Sequence, residues 1–440
     1  MKNKKWMAIL LGGIMAASLA APCSVSAAEK TTLTFWHAMG GTNGEVLQQI
    51  VDDFNASQDE IEVKAEYQGT YDDTITKLKA AMQSDSGLPD VCQMYDVGTK
   101  FMYDSGAVIP VEDKFESTGY DKSSVMDVIS SYYTVDGKQY AMPLNVSTPM
   151  LYYNKDVFEA AGLDPETPPT TYDEVLEDAK KIVESGAAPV GYSQAIYGWF
   201  FEQQLAGLGV TYGNNDNGRT EAVTAVDFDS NGGGLKVFDM WKKLYDSGYF
   251  EDYGTTTADT QTAFFSGQVG MIIESTAILK NAVDSSPFEV GTGYLPRIEQ
   301  NDEGGVIIGG GSLWLTDTGN EANEDAAWKF IEYITTPDVQ AKWSMGTGYF
   351  AINEKAYETD DMKAYLEENP NFETAINQLK DSPVNCNTAG VLSGVQTEAR
   401  LTFNEIMPQV YDGKLTTQDA VDQLAASVNK AIENYNESIK

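Results

Sequence analysis

The chain has 440 residues, of which 42% are hydrophobic and 22% are charged; these proportions are typical of globular proteins and exclude disorder over most of the length. The 66 Asp and Glu against 29 Lys and Arg give a net charge of −37, and a field of that sign excludes nucleic acid and anionic membranes as binding partners. A chain of this length is expected to form two lobes, because single cores stop growing at about 250–300 residues.

The first residues have the pattern of a signal peptide. Three lysines among the first five residues precede an apolar run over 6–21, and small residues lead to Ala27. The pattern predicts a signal peptide over 1–27, cleaved after Ala27 or Ala28, and an exported protein of the periplasm or the outer face of the cell membrane. A lipid anchor at Cys23 is the alternative, although a proline precedes this cysteine where a small residue is wanted. No later stretch reaches the about 18 apolar residues of a membrane span.

Strands and helices alternate in the next part of the chain. Apolar runs and two-residue alternation predict strands over 33–36, 61–67 and 91–95, and helical spacing predicts helices over 46–54 and 75–82. Thr42 and Glu45 have the spacing of a capping box, which predicts the start of the first helix. Alternation of this kind predicts a mostly parallel sheet covered on both faces.

The pattern starts again near residue 150. It predicts strands over 150–153, 271–273 and 306–308 and helices over 175–183, 327–334 and 421–432. Thr171 and Glu174 form a second capping box, and Gly186 is predicted to end the helix that follows.

Three segments rich in Gly, Pro or Ser lie between strand-like runs, at 143–149, 308–312 and 346–351. Two interpretations are open: they are surface loops, or they are three crossings between two lobes that together make a hinge. On the hinge interpretation, the N-lobe comprises 29–145 plus 312–347 and the C-lobe comprises 146–309 plus 350–440.

Motifs of catalysis and of cofactor binding are missing from the sequence. His37 is the only histidine, and there is no G-x-S-x-G, H-E-x-x-H, P-loop or G-x-G-x-x-G. We therefore expect no His-based triad, no metal site and no cofactor. A secreted glycosidase stays open as an alternative, because such enzymes use paired carboxylates and acids are abundant here.

Two cysteines follow the leader, Cys92 and Cys386, far apart in the sequence. Neither belongs to a cysteine-rich framework, so we expect two unpaired, buried thiols, with a single disulfide as the alternative.

Aromatic residues stand beside small polar ones at predicted strand ends and loops. The pairs are Trp36-His37, Thr70-Tyr71, Tyr95-Asp96, Gly198-Trp199 and Gly348-Tyr349. Flat rings make apolar walls against the C–H faces of sugars and polyols, while short polar side chains bond their hydroxyls. Because open α/β sheets bind ligands at strand ends, the pattern predicts a site for a hydroxylated solute.

These same stretches resemble the extracellular solute-binding proteins of the maltose-binding type (family 1), and within them the sn-glycerol-3-phosphate-binding group of ABC importers. The resemblance runs from about residue 33 to the C-terminus. Its most specific stretches are 35–39 (FWHAM), 67–71 (YQGTY), 95–99 (YDVGT), 145–149 (NVSTP), 151–156 (LYYNKD), 162–166 (GLDPE), 307–314 (IIGGGSLW) and 347–349 (TGY).

The resemblance implies a type II periplasmic-binding fold, in which two doubly wound α/β lobes are joined by a hinge of several strands. It implies a monomer without enzymatic activity that closes on glycerol-3-phosphate or a glycerophosphodiester and then docks on membrane permease subunits of an ABC importer. The same fold binding a neutral sugar or oligosaccharide remains an alternative.

The resemblance also implies a set of ligand-binding residues, to which Trp36 is added for its place at a strand end. The set is Trp36, Tyr71, Asp96, Ser147, Trp199, Ser275, Gly310, Tyr349 and Arg400. Arg400 falls on the arginine that neutralises the ligand's phosphate, and Asp96 stands where the group has a glutamate for the glycerol hydroxyls. This chain has Ile196 where the group has a ligand-stacking tryptophan, which puts glycerol phosphate itself in question as the ligand.

Overall fold

The structure is a computed structural model that describes residues 30–84 and 87–440. The predicted signal peptide over 1–27 and the alternative lipid anchor at Cys23 lie outside these residues. Over the ranges described, no helix combines the length and the apolar character that crossing a membrane requires.

Twelve strands lie within the described ranges. In chain order they are β1 (Thr31–His37), β2 (Ile61–Tyr67), β3 (Val91–Tyr95), β4 (Val108–Ile109), β5 (Thr134–Val135), β6 (Lys138–Gln139), β7 (Met142–Ser147), β8 (Pro149–Asn154), β9 (Val190–Ser193), β10 (Val269–Ser275), β11 (Val290–Gly293) and β12 (Gly309–Thr316).

Helices connect and cover these strands. They are α1 (Gly41–Ser57), α2 (Tyr71–Met82), α3 (Thr99–Asp104), α4 (Glu112–Thr118), α5 (Asp127–Ser130), α6 (Lys155–Ala160), α7 (Tyr172–Ser185), α8 (Gly198–Gly207), α9 (Asn214–Gly218), α10 (Gly233–Asp246), α11 (Thr257–Phe265), α12 (Leu279–Ser285), α13 (Glu321–Ile334), α14 (Pro337–Thr347), α15 (Asp360–Glu368), α16 (Asn371–Asp381), α17 (Gln396–Tyr411) and α18 (Thr417–Ser438). The short α9 is unusual, because its three central residues have left-handed backbone angles.

The strands form two larger sheets and one small hairpin, β5 with β6. The first sheet has the order β2-β1-β3-β12-β4, with β7 also paired to β12, and the second has the order β11-β8-β10-β9. β1 runs parallel to β2 and β3, but β12 is antiparallel to β3, β4 and β7. In the second sheet β8 is antiparallel to β10 and β11, and only β9 and β10 are parallel.

The prediction of a mostly parallel sheet is right for strand direction in the first sheet: of its described strands, β1, β2, β3, β4 and β7 point the same way, and β12 is the exception. Parallel pairing needs a crossover that returns the chain to the same end of the sheet. β12 instead enters the first sheet from the edge where β3 ends, with Gly311 opposite Tyr95. A strand that starts at that edge has to run against its neighbours, and the periodicity of apolar residues carries no signal of this direction.

The core has two main parts that meet at the second sheet. The first part surrounds the first sheet and includes Phe35, Trp314 and Trp343, and the second part includes Trp241 and Phe403 under the C-terminal helices. Alternate residues of β8 serve the two parts: Met150 and Tyr152 belong to the first, and Leu151 and Tyr153 to the second. Because both faces of this sheet are covered, its strands are buried along nearly their whole length.

Three stretches of chain connect the two sheets. Thr148 alone separates β7 from β8, residues 294–308 lead from β11 to β12, and residues 348–370 lead from α14 to α16. The predicted hinge segments lie on or beside all three. Met362 of α15 packs with Ala341 of α14, whereas α16 packs on β11. The predicted lobe boundaries stay a prediction, and this packing favours a third crossing nearer residue 369 than residues 347–350.

The helix α16 holds two of these stretches together. Gln378 donates from Nε2 to the carbonyl of Pro149 (2.7 Å) and accepts from the backbone N–H of Leu295 (2.5 Å). One turn later, the Ser382 hydroxyl accepts from the N–H of Val306 (3.1 Å). The first and second stretches are thus tied to the same helix.

The predicted strand over 306–308 is wrong, since β12 begins only at Gly309. Side chains take the place of a neighbouring strand here. The N–H of Ile307 donates to Oε1 of Gln203 (2.8 Å), and Nε2 of Gln203 donates back to the carbonyl of Ile307 (2.7 Å). The segment is buried and apolar like a strand, but its backbone bonds side chains on α8 and at the end of α16.

The two predicted capping boxes have different outcomes. Thr171 and Glu174 form the predicted box at the start of α7, which ends at Gly186 in the left-handed conformation (φ 77°). Thr42 does not cap α1, because that helix begins one residue earlier, at Gly41, with Gly40 in the N-cap position. Gly41 has φ +54°, and a glycine can take this sharp turn at no steric cost, so the helix starts before Thr42 is reached.

This difference predicts unequal effects of two similar substitutions. Thr171→Ala removes a side-chain acceptor from an N-terminal amide of α7, so we expect the free energy of unfolding to fall by about 1 kcal/mol. Thr42→Ala removes the same hydroxyl from an exposed position inside α1 and should cause no measurable loss. Urea denaturation of both variants tests this, and equal losses would contradict the assigned caps.

Neither of the two cysteines in the described ranges is part of a disulfide. Cys92 is buried, as predicted, and burial raises the pKa of its thiol to about 12. Cys386 is only half-buried, so the prediction of two buried thiols is wrong for that residue; it lies in a loop before α17 rather than in the core.

Candidate functional site

A cluster of aromatic and charged residues lies where the two lobes meet. Its first-lobe part is built on the ends of β3 and the start of α2. Tyr71 is the first residue of α2, fixed by the capping box of Thr70 and Asp73. Its ring stacks on that of Tyr95 with centroids 4.6 Å apart and planes 6° from parallel. Its hydroxyl accepts a hydrogen bond from Nδ2 of Asn145 (2.7 Å).

Arg400 is the centre of the charged part. It lies on α17 and is buried, with 6% of its surface exposed. Its Nε and Nη2 donate to the two carboxylate oxygens of Glu202 on α8, at 2.8 and 2.7 Å. Its Nη1 donates to the hydroxyl of Tyr95 (2.7 Å) and lies 3.6 Å from Oδ1 of Asp96.

The electrostatics of this group follow from burial and from its charge balance. Two buried carboxylates, Asp96 and Glu202, face one guanidinium. Burial raises the pKa of Asp96 to about 6; Arg400 opposes the rise, and Glu202 adds to it. Burial disfavours the charge on Arg400, but Glu202 raises its pKa well above the ordinary value, so it stays a cation. With both acids ionised, the group has one negative charge in excess.

The same group joins the two lobes. The hydroxyls of Tyr95 on β3 and Tyr197 before α8 are 2.9 Å apart, within hydrogen-bond distance. Arg400 contacts Tyr95 and Asp96 of the first lobe while it is held by Glu202 of the second. These contacts form only when the lobes are together.

Trp199 and the glycines of β12 pack at the edge of this cluster. A Cβ on Gly309 would lie 2.8 Å from Cζ2 of Trp199, so only glycine lets the indole lie against the strand. Trp199 is 5% exposed, and its Nε1 has no hydrogen-bond partner within the described part of the chain. A buried N–H without a partner is uncommon and is expected to seek an acceptor.

Tyr349 belongs to the cluster through Asn145. Its ring stacks on Trp343 with centroids 5.8 Å apart. Burial raises its pKa, and a hydrogen bond with Asn145 opposes the rise. Asn145 in turn bonds Tyr71 and accepts from Nε2 of Gln93 (2.6 Å). A single amide on β7 thus positions two half-buried tyrosines.

The structure joins some of the predicted residues and not others. Tyr71, Asp96, Tyr349 and Arg400 lie in the connected cluster, with Trp199 and Gly310 at its edge on α8 and β12.

The remaining three have no side-chain hydrogen bond to this cluster within the described part of the chain. Ser147 is buried in β7 opposite Gly309. Ser275 ends β10 and uses its hydroxyl to accept from the N–H of Ala277 (3.2 Å). Trp36 donates from Nε1 to Glu66 on β2 (3.0 Å). Within residues 30–84 and 87–440, no hydrogen bond or ring contact joins Trp36 to the cluster, so its place in a site stays a prediction.

Four residues of the cluster were not predicted as site residues: Tyr95, Asn145, Tyr197 and Glu202. Three of them lie in or beside stretches already marked as aromatic or family-like, which was the available signal. Glu202 had a different signal. It begins a run of three polar residues, Glu202 to Gln204, inside a helix whose residues are buried nearly all round, and buried polar residues need partners.

The ring contacts of His37 in the described part of the chain are with Phe35 and Tyr67, outside the cluster. His37 is buried, and burial lowers the pKa of its imidazole to about 4, so it is neutral at physiological pH. Across residues 30–84 and 87–440, no three His, Cys, Asp or Glu side chains are grouped so that they could hold a metal ion.

The raised pKa of Asp96 predicts a pH dependence of stability. With a value of about 6 against 3.8 in the unfolded chain, the folded protein binds more protons between these values, so this residue lowers stability as pH rises from 3.8 to about 6. Asp96→Asn cannot take up this proton. From pH 4 to pH 7 it should therefore gain stability relative to the parent by about 2 kcal/mol.

The comparison with the parent protein removes the contribution of His37, which has the opposite sign and is present in both proteins. Asp73→Asn serves as a sign control, because backbone and side-chain bonds from Thr70 lower the pKa of Asp73. The stability from Asp73 is present above its ordinary pKa and lost as pH falls. Chemical denaturation at several pH values measures both variants, and equal slopes for the two would contradict the assignment.

The chain is similar in sequence to known solute-binding proteins. Residues 49–374 match the family model described as bacterial extracellular solute-binding protein. The sn-glycerol-3-phosphate-binding periplasmic protein UgpB of Escherichia coli strain K12 is 30% identical over 417 residues, covering 93% of this chain and 94% of that protein.

Solved structures show the same fold. The cyclic alpha-maltosyl-1,6-maltose binding protein from Arthrobacter globiformis is 27% identical, with a TM-score of 0.77 over 92% of this chain and 100% of that one. UgpB from Mycobacterium tuberculosis in complex with glycerophosphocholine is 21% identical, with a TM-score of 0.78 over 93% of this chain and 100% of that one. The predicted two-lobed periplasmic-binding fold is confirmed.

Proposed function

The chain belongs to the bacterial extracellular solute-binding proteins, and from this we propose that it is the substrate-binding subunit of an ABC importer for a glycerophosphate compound. The support is the 30% identity, over nearly the whole of both chains, to a protein named for binding sn-glycerol-3-phosphate. In this role it acts as an exported monomer that delivers its solute to membrane permease subunits, and it breaks no bond. ATP hydrolysis belongs to other subunits, which agrees with the lack of a P-loop in this sequence.

The proposed ligand site is the cluster between the lobes. Tyr71 and Asp96 of the first lobe and Trp199 and Arg400 of the second supply rings, a carboxylate and a guanidinium. Tyr349 supplies a further ring. Ser147, Ser275 and Gly310 complete the proposed site as hydroxyl and backbone contacts. A ligand that contacts both lobes stabilises the closed arrangement by its difference in affinity for the closed and open forms.

The observation that carries the choice of ligand is the charge balance around Arg400. The guanidinium that would neutralise a phosphate already has Glu202 as a bidentate partner and Asp96 at 3.6 Å. A glycerol phosphate dianion would therefore meet a group with one excess negative charge. A zwitterionic diester such as glycerophosphocholine brings its own cation, and the faces of tyrosine rings bind quaternary ammonium groups. We therefore expect the diester to bind more tightly than glycerol-3-phosphate.

The same charge balance favours a second candidate, a neutral sugar. Arg400, Asp96 and Glu202 would then bond hydroxyl groups, and the rings of Tyr71 and Tyr349 would pack on the C–H faces of the sugar. This candidate uses the same fold and the same closure, and differs only in the ligand.

Calorimetric titration with glycerophosphocholine, sn-glycerol-3-phosphate and maltotriose tests the proposal. We expect glycerophosphocholine to bind with the lowest Kd. Tight binding of maltotriose without binding of either phosphate compound would replace the proposed ligand by the neutral sugar. Release of new reducing ends from a glycan panel would instead favour a glycosidase.

Asp96→Asn tests the charge argument directly. Removing the excess charge should tighten binding of sn-glycerol-3-phosphate by about tenfold, because like charges a few ångströms apart repel by more than 1 kcal/mol in a partly buried site. Glu62→Gln removes the same charge from an exposed position on β2 and should leave the Kd unchanged. Equal effects of the two variants would show that the cluster does not control selectivity.

A further inference from the structure

The second lobe contains a cavity that none of the proposed ligand residues lines. Its volume is about 550 Å³, within the range of about 300–1,000 Å³ that is usual for small-molecule sites. Four segments of chain form its walls: 168–170, 204–207, 292–306 and 374–382. Its wall over 294–306 belongs to the stretch that leads from β11 to β12, and its lining includes none of the residues that bond Arg400.

The walls of this cavity are conformationally restricted. Pro168, Pro169 and Pro296 line it, and proline has a fixed φ. On another wall, Gly304 lies so close to α8 that a Cβ there would be 1.9 Å from the carbonyl oxygen of Ala206. A cavity with such walls keeps its shape, so a ligand loses little affinity to ordering the protein.

Tyr294 offers the cavity an aromatic face beside a carboxylate. Tyr294 is one of the few large hydrophobic residues in the described ranges that are exposed, with 40% of its surface accessible. Its hydroxyl donates to Oδ2 of Asp381 (2.8 Å), which holds that carboxylate at the cavity wall. A ring next to an oriented carboxylate suits a sugar, because the ring covers C–H groups and the carboxylate accepts from hydroxyls.

Arg297 adds hydrogen-bond donors. The chain has three arginines. Of the other two, Arg400 is buried and Arg219 is half-buried. Both already donate: Arg400 to Glu202 and Tyr95, and Arg219 to the carbonyls of residues 132, 134, 389 and 390. Arg297 is exposed and lines the cavity. Over the described residues, its guanidinium forms no salt bridge and donates no hydrogen bond.

The charges near the cavity favour a neutral ligand. Asp381 lies on the wall, and burial raises the pKa of Asp302, with Arg297 among the cations that oppose the rise. One guanidinium close to two acids would not retain an anion, but donors and acceptors side by side match the hydroxyls of a sugar.

We propose that this cavity is a second ligand site, separate from the cleft between the lobes, which binds a neutral hydroxylated molecule of the sugar class between Tyr294, Arg297 and Asp381. Maltose serves as the probe. A crystal soaked with maltose should show the sugar in the cavity, with a ring on Tyr294. Titration in solution should give a binding event that remains when the cleft is saturated with glycerophosphocholine.

Two variants separate this site from the cleft. Tyr294→Ala and Arg297→Gln should each weaken this maltose binding by about tenfold, the effect of losing one good contact, and should leave the Kd for glycerophosphocholine within about twofold. Tyr67→Ala, which removes an exposed tyrosine (58%) from the first lobe, is the matched control. Asp96→Asn should change the Kd of the ligand in the cleft and leave the Kd of maltose at this cavity unchanged.

The maltose experiments test the second site, and their result does not depend on which ligand binds in the cleft. No maltose binding in solution, or maltose seen only in the soaked crystal, overturns the second site. Maltose binding that Tyr294→Ala leaves unchanged overturns it as well. Failure of glycerophosphocholine to bind overturns only the proposed cleft ligand; the arginine and tyrosine variants still report on the cavity through maltose.

Discussion

Replacing Arg400 by alanine is expected to lower the free energy of unfolding by about 3–5 kcal/mol, the range found when one partner of a buried ion pair is removed. Arg400 and Glu202 are each about 6% exposed, and the guanidinium bonds both oxygens of the carboxylate. Without it, Glu202 keeps a buried charge whose only remaining hydrogen bond comes from Nε2 of Gln396 (2.9 Å). Urea denaturation at pH 7, followed by tryptophan fluorescence, measures the loss.

A second variant shows whether the uncompensated charge is the cause. Glu202→Gln in the Arg400→Ala background removes that charge and keeps a side chain of the same size, so we expect it to recover about half of the loss. Lys430→Ala breaks an exposed ion pair with Glu433 and should have no measurable effect. If the double variant is as unstable as Arg400→Ala alone, packing of the arginine and not charge is responsible.

Gly310→Ala is expected to destabilise the protein by several kcal/mol and to weaken ligand binding with it. Gly310 has φ +100°, and a Cβ there would lie 1.8 Å from the carbonyl oxygen of Asn145. The alanine therefore pushes β12 away from β7, and Asn145 is the residue that holds Tyr71 and Tyr349. We expect the penalty to combine a strained φ, about 1–3 kcal/mol, with a backbone clash of similar size.

Gly319→Ala isolates the first of these contributions. Gly319 also has a positive φ, +69°, but no atom lies within 4 Å of the position where its Cβ would stand. Its substitution should cost only the backbone strain and leave ligand affinity unchanged. The difference between the two variants, measured by denaturation and by calorimetry, gives the cost of the clash, and equal losses would contradict the close approach of β12 to Asn145.

The sequence predicted single strands and helices correctly where the pattern of apolar residues arises within one element. The predicted strand over 91–95 coincides with β3, and the apolar spacing over 421–432 marks the buried face of α18, because both patterns arise from burial within one element. Thr171 was predicted for the same reason. The cap predicted at Thr42 is wrong, because α1 begins one residue earlier, at Gly41, and a turn made by a glycine with positive φ leaves no periodic signal.

The contacts within the candidate site could not be predicted from the spacing of apolar residues along the chain. Asp96 and Arg400 come together only through the approach of two lobes; the family resemblance placed both in one site, but their 3.6 Å contact was not predicted. Glu202, which decides the charge balance, was missed because its helix is buried nearly all round and so has no polar face to set it apart. The antiparallel entry of β12 was missed because strand direction leaves no trace in the order of apolar residues.

The bonds from α16 to the inter-lobe segments constrain where the molecule bends. Gln378 and Ser382 anchor residues 149, 295 and 306 to one rigid helix of the second lobe, so these points travel as a single body. The hinge of any opening motion is then expected on the first-lobe side of these anchors, within β7 and the start of β12. Three successive glycines, Gly309 to Gly311, lie there, and glycine changes its backbone dihedral angles at the least steric cost.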